Sequence, residues 1–561
     1  MKTLRQHRIF LGWFMTGLMA VWLPGPVALS AEGFWILNNA GNWTGTPANW
    51  QGGTIPNAVG DIANFRNDIT AARTITLNSA VTLGGLSMGD LLGGSVFTFA
   101  GTNALTLDNT SGNAFVKKFG SATDVWQAPL VLADSVDWNI YAGTLDVNGA
   151  SNAQVSYTGA GNTIKNGAGA LRLNINTGVG GVDYTGNWIV NFGTLNIGGA
   201  NGATPSSLGT GTGGIILNGT GRQDLAVFSL NNNGSGSDGS ASYSGNNDVI
   251  VQGGAAINVD RNYIGGANDR VTHILDNLTF NGGILRVQSG NGHRLQFEGT
   301  TTLSGQTNVF DVLGNTTATL ANLTLNGVIT DGAASRNLIK EGTGRMTING
   351  SSNTYDGVTV VKNGVLQLGA GANLGGGATF VNGGALSVAD VVTAGNLTTG
   401  AGLVLVGQLG TSRYILPVVG YSGTAAIDGT NPLNFTTPVS GAILGVDGVS
   451  GTSSVNTANI DMANVAGGSN RIWFGNVIGF DRTYRGTLTN GASGDLRLTS
   501  GGNNLILDTN ANILGGAGAA NNLIFGFDHQ NAIGFTGNNI VQASTGTVSV
   551  RVNNASTLGT V

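Results

Sequence analysis

Cysteine is missing altogether from these 561 residues, and charged residues make up only 9% of them. Without cysteine, no disulfide can staple a small loop-rich domain, so stability has to come from a core or a long hydrogen-bonded ladder. So little charge argues against a string of compact helical domains, whose exposed faces are normally laced with Lys and Glu. It also leaves no basic patch that would court nucleic acid or an acidic lipid surface. Histidine numbers only four. The three beyond the N-terminus, His273, His293 and His529, stand apart from one another with no metal-type spacing, and read as solvated turn or strand-face residues.

What fills the chain instead is glycine, 95 residues of it, together with Asn, Thr and Ser. These suit turns and polar strand faces, and a hydrophobic share of 41% is too high for a disordered chain. A phrase of Gly, a small or branched residue, Leu, a polar residue and an aliphatic one recurs as "GTLDV" (143–147), "GTLNI" (193–197), "GILRV" (283–287), "GVLQL" (364–368) and "GALSV" (384–388). Each is a short period-2 strand entered through glycine. Lys-x-Gly stands upstream of three copies, at 118, 165 and 340. Tyr-x-Gly opens two longer matching stretches, "DYTGNWIVNFGTLNIG" (183–198) and "NTYDGVTVVKNGVLQLG" (353–369). Regular short strands separated by Gly and Asn turns fit stacked coils better than a sandwich or a propeller. The expected fold is all-β, a right-handed parallel β-helix with an N-terminal cap. Leu145, Leu195, Leu366 and Leu386 should point inward, and Asn, Thr and Ser should form ladders between coils.

The N-terminus reads as an export signal. Lys2, Arg5 and Arg8 precede the apolar run 9–23, and Ala28 and Ser30 offer small residues for cleavage before Ala31. The run is shorter than the ~20 residues of a membrane span. Losing three positive charges with residues 1–30 takes the formal net charge from −5 to −8. The expected organisation is a signal peptide over 1–30, a cap and first coils over 31–90, and a β-helix of degenerate repeats over 91–561, clearest at 165–198 and 340–369.

On those residues the chain resembles the autotransporter-associated β-strand repeat, with its Lys-x-Gly-x-Gly, Thr-Tyr-x-Gly and Gly-Thr-Leu-x-Leu elements. The clearest copy is "KEGTGRMTINGSSNTYDGVTVVKNGVLQLG" (340–369), and "GFTGNNIVQASTGTVSV" (534–550) is a weaker one with Phe535 for Tyr. The segment 41–65 also looks like the stretch that follows the signal in large secreted bacterial proteins carrying such repeats. The resemblance implies a passenger-like β-helix, secreted or held at the cell surface of a Gram-negative-type bacterium. Structural or adhesive roles are implied, with export machinery and surface glycans or proteins as partners. Passengers of this kind normally end in a membrane barrel, whereas the final residues "VRVNNASTLGTV" still read as repeat. A fragment lacking its anchor is therefore the expectation.

Residues that could carry chemistry are few. "GLSMG" (85–89) matches a nucleophile elbow around Ser87, but a strand rather than a helix follows it. "GTGTGG" (209–214) lacks the Lys of a phosphate loop, and "GSGSD" (234–238) occurs once where a calcium roll needs tandem copies. Asp134 with Asp137, and Asp481 beside Arg482 and Arg485, are the compact groupings that a carbohydrate-active β-helix enzyme could use. That enzyme, a lyase or glycosidase, is the alternative to a scaffold, and clustered Asp, Arg or Lys on adjacent coils would favour it. Trp35, Trp43 and Trp50 with Phe34 and Phe65 concentrate aromatics at the start, either to close the solenoid end or as a sugar platform. No residue is nominated as catalytic, cofactor-binding or metal-ligating, and no cofactor is expected.

Overall fold

A computed structural model describes residues 30–388, apart from 150–152, 177–182, 199–207, 244, 262–267, 315–321, 370 and 382–383, and beyond these only short stretches between 403 and 552. The signal residues 1–29 and the weak copy's Phe535 lie outside the described residues.

Strands of two to seven residues alternate with tight corners, and strands pair in parallel with those one coil later. The result is a parallel β-solenoid of about 11 turns, with two short 3-10 turns, Pro47–Asn49 and Gln51–Gly53, near its start. Parallel pairing begins at once, with Glu32–Phe34 on Ile62–Phe65. A first sheet stacks 12 strands, from Glu32–Phe34 to Ile329–Thr330. A second sheet includes Gly193–Gly198, Ala226–Asn231, Gly254–Asp260, Gly283–Ser289, Thr307–Val312 and Asn337–Glu341 as successive neighbours. A third of seven strands runs from Ser240–Ser242 to Ala385–Val388.

The period-2 pattern explains the core. In most strands, apolar residues alternate between buried and half-buried positions, because successive side chains point to opposite faces. Leu145, Leu195, Leu366 and Leu386 are all buried, as their phrase predicts, and stack in register: Leu171 on Leu195, Met346 on Leu366, Leu366 on Leu386. Polar rungs join coils outside: Asn191 Nδ2 donates to Asn166 Oδ1 and Asn218 Nδ2 to Asn191 Oδ1, each at 2.8 Å.

The N-terminal aromatics are core. Trp35, Trp43, Trp50 and Phe65 are buried, with ring centroids 5.0 to 5.5 Å apart. Trp50 Nε1 donates to the Trp43 carbonyl and Trp43 Nε1 to that of Pro56. Rings enclosed in this way offer no face to a sugar, so the platform reading fails for them. Phe34 alone of the group is exposed.

Candidate functional site

The repeat copies at 165–198 and 340–369 are clamped alike by their lysines. Lys165 and Lys340 are the last residues but one of the strands Thr163–Asn166 and Asn337–Glu341, with their side chains turned inward and buried. Lys165 Nζ donates to the carbonyls of Asn166 (2.8 Å) and Gly167 (2.7 Å) at its own corner, and of Phe192 (3.1 Å) one coil later. Lys340 Nζ does the same with Glu341 (2.6 Å), Gly342 (2.8 Å) and Asn363 (3.1 Å). Three ammonium protons meet three carbonyls, a match only the charged form completes. Burial works against that charge and pulls each lysine from its ordinary range down to about 7.

Glycine follows each third carbonyl for a physical reason. Gly193 and Gly364 sit at φ 73° and 65°, and a Cβ on either would lie 2.9 Å from the lysine Nζ and closer still to the carbonyl of Gly167 or Gly342. Lys118 is a variant: it donates to the Phe119 and Gly120 carbonyls, and the carboxylate of Asp124 stands 3.5 Å away. Burial raises Asp124 to about 6, with the Lys118 charge opposing.

The tyrosines are equally inward. Tyr184 Oη donates to the Asn187 carbonyl at 2.8 Å and accepts from the Thr163 amide one coil back, and Tyr355 Oη meets Thr359 Oγ1 at 2.6 Å. Tyr484 Oη donates to the Thr487 carbonyl at 2.8 Å, three residues on, as Tyr184 does. Tyr484 and Thr487 therefore repeat that contact, under a Tyr-x-Gly spelling that was open to reading in the sequence.

Among the residues weighed for chemistry, Ser87 lies in the strand Gly85–Met88, buried, in register with Asn64 and paired onward with Lys117. No strand-to-helix turn presents it. Asp134 and Asp137 hold neighbouring coils together: Asp134 Oδ2 accepts from the Asn109 amide at 2.7 Å, and Asp137 accepts from Asn113 Nδ2 and Asn166 Nδ2. Gly209 and Gly214 take positive φ in their loop. Asp238 closes the "GSGSD" loop by pairing with Arg270 and Arg294 from the next two coils, and the Arg270 hydrogen bond leads in holding its carboxyl below the usual range. Asp481, Arg485 and His529 lie outside the described residues, and of Arg482 only its strand is described.

Two histidines read as solvated are instead buried and in contact. His293 Nε2 faces the Asn268 carbonyl (3.0 Å), His293 Nδ1 faces His273 Nε2 (2.9 Å), and His273 Nδ1 faces Tyr243 Oη (3.0 Å). With both imidazoles in the neutral form that burial favours, the carbonyl, which can only accept, sets every proton in the row: each hydrogen sits on Nε2, and Tyr243 donates. Burial first, and for His273 the second imidazole next, keep both below the ordinary value. Twenty residues of spacing conceal the contact, because adjacency here means one coil.

Charge does cluster on adjacent coils of the second sheet. Register places Arg286 beside Asp311 and Asp311 beside Glu341. Arg286 Nε donates to Asp311 Oδ2 at 2.9 Å, and Lys362 Nζ to Glu341 Oε1 at 3.0 Å, with Arg222 also on Glu341. Burial acts to raise Glu341, but the hydrogen bonds and charges of Arg222 and Lys362 outweigh it and leave the carboxyl below its ordinary value. Such a group has no proton to give a glycosidic oxygen at neutral pH. Sequence reading missed this cluster because Arg286, Asp311, Glu341 and Lys362 stand 21 to 30 residues apart, the length of a coil, and Arg222 lies 119 residues from Glu341. Among the described residues, no group of three or more His, Cys, Asp or Glu is placed to hold a metal ion.

The family model of the passenger-associated-transport-repeat matches residues 164–197 and 338–368. Those limits coincide with the two lysine-clamped units, each spanning two successive coils. The first lies on the first and second sheets and the other on the second and third, so the repeat is a brick that carries its own corner from face to face. No curated protein and no solved structure matches the chain.

Proposed function

From an autotransporter passenger-like β-helix repeat protein, we propose a non-catalytic scaffold that is exported and displayed at, or released from, a Gram-negative cell surface, where it serves as a stalk or adhesin. The observation that carries this reading is where the signature residues go. Lys165, Lys340, Tyr184 and Tyr355 are buried and bonded to backbone or core hydroxyls, so what defines the repeat is committed to building coils. Residues 1–30 are the export signal in this reading, and the buried tryptophans close the first coils. Expression of the full chain in a Gram-negative host tests it: the chain should leave the cytosol cleaved after Ser30, and deletion of residues 1–30 should hold it inside. Retention of the intact full chain in the cytosol would contradict it.

The cluster of Arg286, Asp311, Glu341 and Lys362 favours a second reading, a carbohydrate-active enzyme. Depolymerisation of a glycan by the purified chain, abolished by Asp311→Asn or Glu341→Gln, would establish that reading over the scaffold.

A further inference from the structure

Lys118 and Asp124 face each other across one corner, and neither side chain is exposed to solvent. Lys118 stands in an inward column between Met88 and Ile140, and Asp124 in the next between Phe97 and Leu145, all four of them buried. Lys118 Nζ donates to the carbonyls of Phe119 at 2.6 Å and Gly120 at 2.8 Å, and its third neighbour is Asp124 Oδ2 at 3.5 Å. Among the described residues Oδ2 has no hydrogen-bond partner, while Oδ1 accepts from the Phe97 amide at 2.8 Å.

The other two buried lysines differ from this one in a way that matters chemically. Lys165 and Lys340 each meet three carbonyls, which take the three protons of an ammonium. Lys118 meets two. A neutral amine matches that count with its two N–H bonds and leaves its lone pair for the third neighbour, a carboxyl. Burial pulls Lys118 below its ordinary range against the opposing charge of Asp124, and pushes Asp124 up to about 6 against that of Lys118. The charge of Asp90 adds to the second push. Both shifts favour one state, an amine beside a carboxylic acid, reached by moving a proton from Nζ to Oδ2. An amine desolvated in this way is a nucleophile. We propose that Lys118 and Asp124 condense into an isopeptide bond, a covalent staple over the corner 119–123 that ties the first sheet to the second within one coil.

The chain supplies every atom of the reaction. The Nζ lone pair attacks the Asp124 carboxyl carbon, and the Phe97 N–H, already on Oδ1, holds the negative charge that gathers there. The Nζ–Cγ bond forms and the Cγ–Oδ2 bond breaks. Oδ2 leaves as water, carrying its acid proton and one proton from Nζ, and nothing is oxidised or reduced. One N–H stays on the nitrogen for a corner carbonyl. Burial supplies the proximity, and a neutral amide costs less to keep from water than an ion pair does. The chain has no cysteine, so a disulfide could not fasten this corner. The staple stands or falls independently of export.

Peptide mass spectrometry of the purified, folded chain after prolonged incubation at neutral pH tests the bond. The peptide holding residues 118 and 124 should be lighter by one water, with backbone fragments missing between the two because the ring retains them. Lys118→Met and Asp124→Ala should each keep the full mass of their sequence. Asp124→Asn should lose ammonia instead and arrive at the wild-type product, which a purely structural ion pair would not do. Circular dichroism confirms each fold, and where a variant does not fold the wild-type peptide decides alone. Lys165 and Lys340 are internal controls and should keep free amines. A folded wild-type chain whose peptide retains its full mass and a free Lys118 amine would overturn the proposal. So would a loss of water that persists in Lys118→Met, which would place the dehydration at an aspartate without the lysine.

Discussion

Lys165 donates a hydrogen bond of 3.1 Å to the carbonyl oxygen of Phe192, 27 residues later in the chain and one coil further along the solenoid. Lys340 and Asn363 repeat the bond at the same length over 23 residues. Loop length differs and geometry does not, so the unit preserved between the two copies is the junction between coils.

Removing the space that this junction needs should be costly. Gly364→Ala places a methyl group within 2.5 Å of two carbonyls at a positive φ. It is expected to destabilise the surrounding coils by about 2 kcal/mol or more, since the strain adds to the loss of a permitted backbone conformation. Chemical denaturation followed by a probe in these coils checks it, and an unchanged midpoint would count against the clamp.

The buried lysines set a dependence on pH. Their folded values near 7 lie below the ~10.4 of an unfolded lysine. Between those limits the unfolded chain binds more protons than the folded one, so stability should rise as pH goes from about 7 to 10. Lys165→Met with Lys340→Met should flatten that rise, leaving only the weaker contribution of Lys118. Equal slopes in the two proteins would show that the lysines titrate normally.

The histidine row gives the opposite test, in acid. Burial holds both imidazoles below an unfolded value of about 6.5, so their contribution is complete above that pH and is lost as pH falls toward the folded values. Protonation puts two N–H groups face to face between His273 and His293. Amide exchange in the strands Thr272–Leu275 and Arg294–Phe297 should quicken below pH 6 ahead of the strands near Leu145, and His273→Gln should reduce the difference.

Leu366 fills the interior between Met346 and Leu386. Leu366→Ala should cost about 2 to 5 kcal/mol through lost transfer energy and a cavity. Because coils are held by their neighbours, exchange should loosen near 338–388 and stay slow near 81–147. Uniform loosening along the chain would contradict nearest-neighbour coupling.

How much of this could be read in the sequence follows from whether a residue's partner is near it in the chain. The inward leucines were legible because period-2 alternation is local. The Tyr-x-Gly spelling was legible as a corner and Lys-x-Gly as a marker of the repeat, but not their chemistry: the carbonyl of Phe192 reaches Lys165 only after a coil has closed. Pairs such as His273 with His293, or Asp311 with Glu341, appear in sequence as isolated residues, and only the coil register joins them. The three tryptophans were legible as a cluster, and their burial was not, because composition does not say which side of a strand a ring occupies.

A double-mutant cycle of Lys340→Met and Gly364→Ala tests most directly whether the repeat's signature residues fasten one coil to the next. The two positions are 24 residues apart in sequence, and a Cβ at 364 would lie 2.9 Å from Lys340 Nζ. Unfolding free energies of the four proteins should show the two losses overlapping by at least ~1 kcal/mol, because each substitution damages the same junction. Losses that simply add would mean that lysine and glycine act separately, and that the junction is not what the repeat preserves.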